Sequence, residues 1–152
     1  MSSDQKRIVV TGMGVIAPNA HGLDDFEQAL REGRSGIRFI ENLRELKFGC
    51  QVGGIPPGHE ELAARYFDEQ ALRAMSDAMV YASIAGLDCW RDAGLPEPSE
   101  AEDSVDWDTG AVIGTGVGGA DIVGSFVAPH VDVGNVRRLG SAVVERTMAS
   151  SV

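Results

Sequence analysis

The sequence predicts an α/β fold, with a mainly parallel sheet between helices on both faces. Two observations carry that prediction. The runs Ile8-Val9-Val10 and Ala111-Val112-Ile113 are continuous and rich in β-branched residues, and glycines follow each. Helical patterns lie between them, the longest apolar nearly all round. An uninterrupted apolar run of this kind suits a strand buried on both faces rather than a half-exposed one.

Taken in order, Ile8-Val9-Val10 is expected to run into a tight turn at Thr11-Gly12-Met13-Gly14, and Pro18-Asn19 breaks the chain again. Leu23, Phe26, Ala29 and Leu30 follow the spacing of a helix with one apolar stripe. Asp24 and Asp25 suit its positive N-terminal end, and Gly33 and Gly36 stop it. Residues 37–58 read as irregular, with a short strand at Phe48 to Val52 and a turn at Pro56-Pro57-Gly58. One long helix is then expected, capped by Asp68, with Phe67 and Leu72 as a hydrophobic staple. It runs to Ala93 and stops at Gly94 and Pro96. Its second half, Ala78 to Leu87, suits a helix enclosed by protein on most sides. Residues 97–108 form an acidic loop with no basic residue. Its spacing lacks the glycine and terminal glutamate of a calcium loop, so it reads as a solvated segment and no metal site is expected. Beyond residue 120 only a short helix around Val143-Val144 and Met148 is legible, and Ser150-Ser151 looks like a helix N-cap.

The 152 residues suit one domain. A formal charge of −10 is a poor electrostatic basis for binding nucleic acid or an anionic membrane. No apolar run approaches the ~18 residues of a membrane span, and the first residues lack the apolar stretch of a secretory signal. Cys50 and Cys89 are too few for a disulfide scaffold and read as two reduced thiols of a cytoplasmic protein, Cys50 in the core and Cys89 within a helix. His21, His59 and His130 read as scattered surface histidines.

Gly12-Met13-Gly14-Val15-Ile16-Ala17 and Gly114-Thr115-Gly116-Val117-Gly118-Gly119 both match the glycine pattern of dinucleotide-binding turns. Context argues against the first, because Pro18 to Gly22 separates it from its helix and no strand ending in an acid follows at the right distance. The second follows a strand but lacks the later acidic residue. The simpler reading is that these glycines let the backbone pass close to a neighbouring element.

Four segments together resemble the elongating β-ketoacyl-acyl-carrier-protein synthases. They are Val9-Val10-Thr11-Gly12-Met13-Gly14-Val15-Ile16-Ala17-Pro18, Gly33-Arg34-Ser35-Gly36-Ile37, Trp90-Arg91-Asp92-Ala93-Gly94-Leu95 and the glycine run Gly114 to Gly119. They occur in family order and at family spacing, and the likeness extends from Lys6 to Val152. The resemblance implies the N-terminal half of a thiolase-like α-β-α-β-α layered fold, so that residues 1–152 form a single incomplete domain. It implies condensation of an acyl group with malonyl on acyl-carrier protein, in fatty acid or polyketide synthesis, without a cofactor. It implies that the nucleophilic cysteine, two histidines and a lysine lie beyond Val152, so no catalytic residue is expected here. By the same likeness Gly116, Val117 and Gly118 would line the acyl pocket, with Val117 limiting chain length, and Thr147 and Met148 would approach the pocket of a second subunit. The expected partners are acyl-carrier protein, through the complete enzyme, and either a second copy or a complementary C-terminal half. Two alternatives remain open: a non-catalytic pseudo-synthase subunit that assembles with an active synthase, and a small nucleotide-binding enzyme built on the second glycine run.

Overall fold

The structure is a computed structural model that describes residues 7–96 and 106–148. Two small antiparallel hairpins and a series of helices make up the described chain. Strand β1 (Ile16–Ala17) pairs with β2 (Ala20–His21) across the two-residue turn Pro18-Asn19. Helix α1 (Leu23–Arg31) follows, with Asp24 and Asp25 in its first turn. Gly33, at φ 65°, ends it: the amides of Gly33 and Arg34 turn back onto the carbonyls of Leu30 and Ala29, which takes up two carbonyls that the helix itself leaves free. Strand β3 (Ile37–Phe39) pairs with β4 (Val52–Gly54), and the short α2 (Glu41–Glu45) lies between them. The strand expected at 48–52 therefore begins only at its last residue, and Cys50, expected in the core, is exposed on the connection.

The expected long helix divides. Helix α3 (His59–Tyr66) precedes Asp68 and was not anticipated; α4 (Glu69–Ala74) starts at Asp68. The Asp68 carboxylate accepts the amide of Ala71 at 2.7 Å, as its capping role requires. Replacing Asp68 with alanine is expected to cost about 1 kcal/mol, read as a lowered urea midpoint. The chain then turns extended at Met75, and Ser76 caps a new helix, α5 (Asp77–Asp92). Ser76 is buried, and its hydroxyl accepts the amide of Met79. A second cap inside one apolar run breaks the helix because the serine side chain offers the backbone an alternative to continuing it. Helix α5 ends as α1 does, with Gly94 at φ 67° and the amides of Gly94 and Leu95 on the carbonyls of Arg91 and Trp90.

Past the acidic segment, most of which lies outside the described residues, helix α6 (Ala120–Ile122) continues through a π-helical turn at Val123–Val127 into α7 (Ala128–Asp132). Pro129 lacks the amide hydrogen an α-turn needs there, and the wider turn precedes it. This helical stretch was not legible in the sequence. A 3-10 turn at Val136–Arg138 leads to α8 (Ala142–Thr147), which contains Val143 and Val144 and ends just before Met148. The N-cap expected at Ser150-Ser151 lies outside the described residues.

Leu62, Ala63, Val80 and Ile84 form the core, joining α3 to α5, with Ile16, Tyr66, Phe67, Leu72 and Met75 packed around them. Phe67 and Leu72 both pack against this core. Ile122 is buried as well, and the Asp121 carboxylate accepts the amide of Asp77, tying α6 to the first turn of α5. On α5 only Val80 and Ile84 are fully buried between Ala78 and Leu87, so the helix is less enclosed than its composition suggests.

Residues 7–15 and 111–115 take no part in a strand ladder, and the parallel sheet is not formed among the described residues. The expected turn at 11–14 is absent too; the backbone runs on to β1 and reverses at Pro18-Asn19. Gly12, Met13 and Gly14 are instead held against a helix. A Cβ on Gly14 would lie 2.0 Å from the carbonyl oxygen of Ala85, and one on Gly12 would lie 2.5 Å from that of Cys89. The amide of Met13 donates to Asp92 and the thiol of Cys89 to the carbonyl of Gly12. The first glycine pattern therefore serves backbone-on-backbone packing, and α5 occupies the space a pyrophosphate would need. Gly86, within α5, has open space around its Cα, so close packing does not account for it.

Candidate functional site

The second glycine run, 114–119, leads from the extended segment into α6. Gly114 and Gly116 have open space about them, Val117 is 75% exposed, and Gly118 is half-buried. Val117 is not a core residue of this chain. Gly119 is different: it is buried, lies at φ 65°, and a Cβ there would come within 2.3 Å of the Thr147 Cα. No side chain is tolerated at that point, so the end of the loop sits directly on the last turn of α8. The structure thereby brings the two groups singled out in the sequence into one neighbourhood, through Gly119 and Thr147. The Thr147 hydroxyl is turned back onto its own helix, within 2.9 Å and 3.0 Å of the carbonyls of Val143 and Val144. Met148, one residue on, is exposed. The Nε of Arg146 is buried without a hydrogen-bond partner among the described residues.

A second constellation was not legible in the sequence. His21, Tyr66 and Asp88 converge from β2, α3 and α5. The Tyr66 hydroxyl donates to one carboxylate oxygen of Asp88 at 2.8 Å, and the His21 Nε2 lies 3.1 Å from the other. His21 is half-buried rather than a scattered surface residue. The Arg91 guanidinium lies 5.7 Å from the centre of the Tyr66 ring. A cleft of about 510 Å³ beside this group is lined by Met13, His21, Asp24, Asp88, Arg91 and Asp92 among others. Sequence separations of 22 to 67 residues carry no local signal, which is why the pattern of the sequence is silent on it. The cluster ties the first hairpin to two helices. Both cysteines are free, and their thiols approach backbone carbonyls, Cys50 that of Val52 and Cys89 that of Gly12.

Burial, and then the Asp88 carboxylate, push the Tyr66 phenol above its ordinary value. Burial, and then Asp77 and Asp121, do the same for Tyr81. These are the two tyrosines of the chain. Raised phenols contribute stability that is whole below the ordinary value of about 10 and is lost as pH climbs through the folded value. Phenolate absorbance of the folded chain is expected to rise at higher pH than that of the unfolded chain. A free-tyrosine titration curve in the folded state would contradict this.

Comparison with known proteins adds the family. Residues 5–151 match the model of the beta-ketoacyl synthase N-terminal domain. The chain belongs to the β-ketoacyl synthase family. Among similar proteins, 3-oxoacyl-[acyl-carrier-protein] synthase 1 of Haemophilus influenzae is 32% identical over 149 residues, 97% of this chain and 34% of the relative. The enzyme of the same description from Escherichia coli is 32% identical over 150 residues, again 97% of this chain and 35% of the relative. This synthase-family chain therefore spans about a third of the length of the curated relatives it matches. Among solved structures, a beta-ketoacyl synthase from Burkholderia phymatum aligns with a TM-score of 0.74 at 22% identity, over 97% of this chain and 35% of that one. The ishigamide ketosynthase/chain length factor aligns at 0.71 and 26% identity, over 94% and 34%. The fold is that of the ketosynthases, which places the synthase N-terminal domain in the α/β class. Among the described residues no helix is long and apolar enough to cross a membrane, and no group of three or more histidine, cysteine, aspartate or glutamate side chains could hold a metal ion.

Proposed function

We propose that this chain is the N-terminal part of a 3-oxoacyl-[acyl-carrier-protein] synthase, which condenses an acyl group with malonyl on acyl-carrier protein in fatty acid or polyketide synthesis. On this reading residues 1–152 are one incomplete domain of a cytoplasmic enzyme and do not catalyse alone. The observation that carries it is the likeness to 3-oxoacyl-[acyl-carrier-protein] synthases over 97% of the chain. Condensation needs a thiolate whose pKa is depressed and donors at the developing enolate oxygen. Cys50 and Cys89, each near a backbone carbonyl, supply no such setting. The contribution of this part is contact with substrate. Gly116, Val117 and Gly118 line the acyl pocket, and Thr147 and Met148 reach the pocket of a second subunit. Open space around Gly116, the exposed Val117 and the seating of Gly119 on Thr147 support that assignment.

The test assays acyl-carrier-protein-dependent condensation by this chain alone and by the same chain joined to the remaining two thirds of the Haemophilus influenzae relative. Product is expected only from the second. In that enzyme Val117→Trp is expected to shorten the longest acyl group accepted, with little change for the shortest. Product from the isolated chain, or an unchanged length distribution with tryptophan at 117, would refute the corresponding assignment.

A non-catalytic partner subunit is the second reading. It is favoured by the alignment with a structure described as a ketosynthase/chain length factor. It predicts tight assembly with an active synthase and no gain of condensation when the chain is extended.

A further inference from the structure

At Gly119 two parts of the chain meet backbone to backbone. A Cβ there would lie 2.3 Å from the Thr147 Cα, 2.5 Å from the Arg146 carbonyl oxygen and 3.1 Å from the Thr147 carbonyl carbon. No side-chain rotation relieves contacts of that kind, and at φ 65° an L side chain is disfavoured as well. On one side of the contact, Val117 stands two peptide links from Gly119, at most about 7.6 Å between Cα atoms. On the other side, Met148 follows Thr147 directly.

The parts that meet at Gly119 differ in what can yield. Helix α6 is fixed. The Asp121 carboxylate accepts the amide of Asp77, in the first turn of α5, at 3.1 Å, and Ile122 is buried. The Ser125 hydroxyl adds a bond of 2.6 Å to the Asp121 carbonyl. The loop before Gly119 is free to shift, since Gly114, Gly116 and Gly118 carry no side chain to hold it. The end of α8 can shift too. The chain turns extended at Met148, and the Thr147 hydroxyl steadies the last turn through the carbonyls of Val143 and Val144. A group added at 119 is therefore accommodated by moving Val117 on one side and Met148 on the other, while α6 stays in place.

We propose that Gly119 is a positioning residue for two acyl pockets at once: for the pocket of its own chain through Val117, and for that of a second subunit through Thr147 and Met148. The proposal rests on the synthase reading given above, which assigns those residues to the two pockets and leaves open what sets their placement. In a two-fold pair each pocket is then shaped by this contact twice, once from either chain. Acyl-length selection in one pocket responds to a change at 119 in either copy.

The test uses the chain joined to the remaining two thirds of the Haemophilus influenzae relative. Two differently tagged copies are co-expressed, one without the nucleophilic cysteine, so that a single pocket condenses. Gly119→Ala is placed either in the condensing copy or in the other. The ratio of kcat/KM for the longest acyl thioester accepted to that for the shortest is expected to change by about tenfold in both arrangements, because a misplaced contact costs only the substrate that reaches it. Thr147→Val keeps the side-chain shape and gives up both hydrogen bonds. Its effect is expected to be larger from the non-condensing copy. An effect of Gly119→Ala confined to the condensing copy overturns the proposal. So does a loss equal at all acyl lengths, or a joined enzyme that stays monomeric. Should Gly119→Ala not fold, Thr147→Val decides, and no effect from the non-condensing copy overturns the proposal as well. In the isolated chain, the methyl resonances of Val117 and Met148 are expected to shift together in Gly119→Ala while those of Ile84 stay, and a shift on one side alone overturns it. Both shifts without condensation by the joined enzyme refute the synthase reading and leave the joint placement of the two segments standing.

Discussion

Replacing Gly14 with valine is expected to destabilise the chain by about 3 kcal/mol or more. A Cβ at that position would lie 2.0 Å from the Ala85 carbonyl oxygen and 2.7 Å from the Cys89 nitrogen. Both obstacles are backbone atoms of α5, so no side-chain rotation relieves the clash. Either the segment lifts off the helix or the helix bends. Lifting also breaks the bond from the Met13 amide to Asp92 and that from the Cys89 thiol to Gly12. Overpacking a well-fitted core costs about 1–3 kcal/mol when side chains can yield, and here they cannot. Gly86→Ala is the control. Gly86 lies in the interior of the same helix with open space around its Cα, so alanine is expected to stabilise by about 0.5–1 kcal/mol. Urea denaturation of both variants reads the contrast. A Gly14→Val midpoint equal to that of the parent would show that the close approach does not hold in solution.

Ile84→Ala is expected to cost about 3–4 kcal/mol. Ile84 is fully buried, at the centre of the cluster with Leu62, Ala63 and Val80. Truncation loses the transfer energy of the side chain and leaves a cavity that helices α3 and α5 can close only in part. The compensating strain falls on the same layer, which also holds Tyr66 through its bond to Asp88. Val112→Ala, at an exposed position, is expected to change the stability of the isolated chain by less than about 0.5 kcal/mol. Equal effects at 84 and 112 would mean that the core is not where the structure puts it.

Local signals were legible wherever a few neighbouring residues decide the outcome. The stripe of Leu23, Phe26, Ala29 and Leu30 formed α1, Gly33 stopped it, and Asp68 capped α4. Each depends on contacts within about one helical turn. Signals failed where two local rules compete. Ser76 was read through as helix because the apolar pattern on either side outweighed a cap in its middle. The helical stretch after Gly119 was missed because Gly124 and Pro129 weaken its pattern, and the chain accommodates Pro129 by widening a turn. Of the candidate site, the glycine run and the Thr147-Met148 stretch were found by resemblance, while their meeting through Gly119 was not. The His21, Tyr66 and Asp88 cluster had no signal at all.

By itself, the sequence determined the family and the α/β class. Four ordered motifs spread over the chain identify a lineage even when no one of them dictates a contact, and β-branched runs followed by glycines are a property of neighbours along the chain. Only the tertiary structure decided that Gly12 and Gly14 serve to admit helix α5, that Gly119 carries the end of α8, and that Ile8 to Val10 and Ala111 to Ile113 pair with no strand among the described residues. The physical reason is that a glycine's use and a strand's pairing depend on what arrives from far along the chain or from another polypeptide. A local pattern records that a close approach or a buried strand is possible, and it does not record what makes the approach.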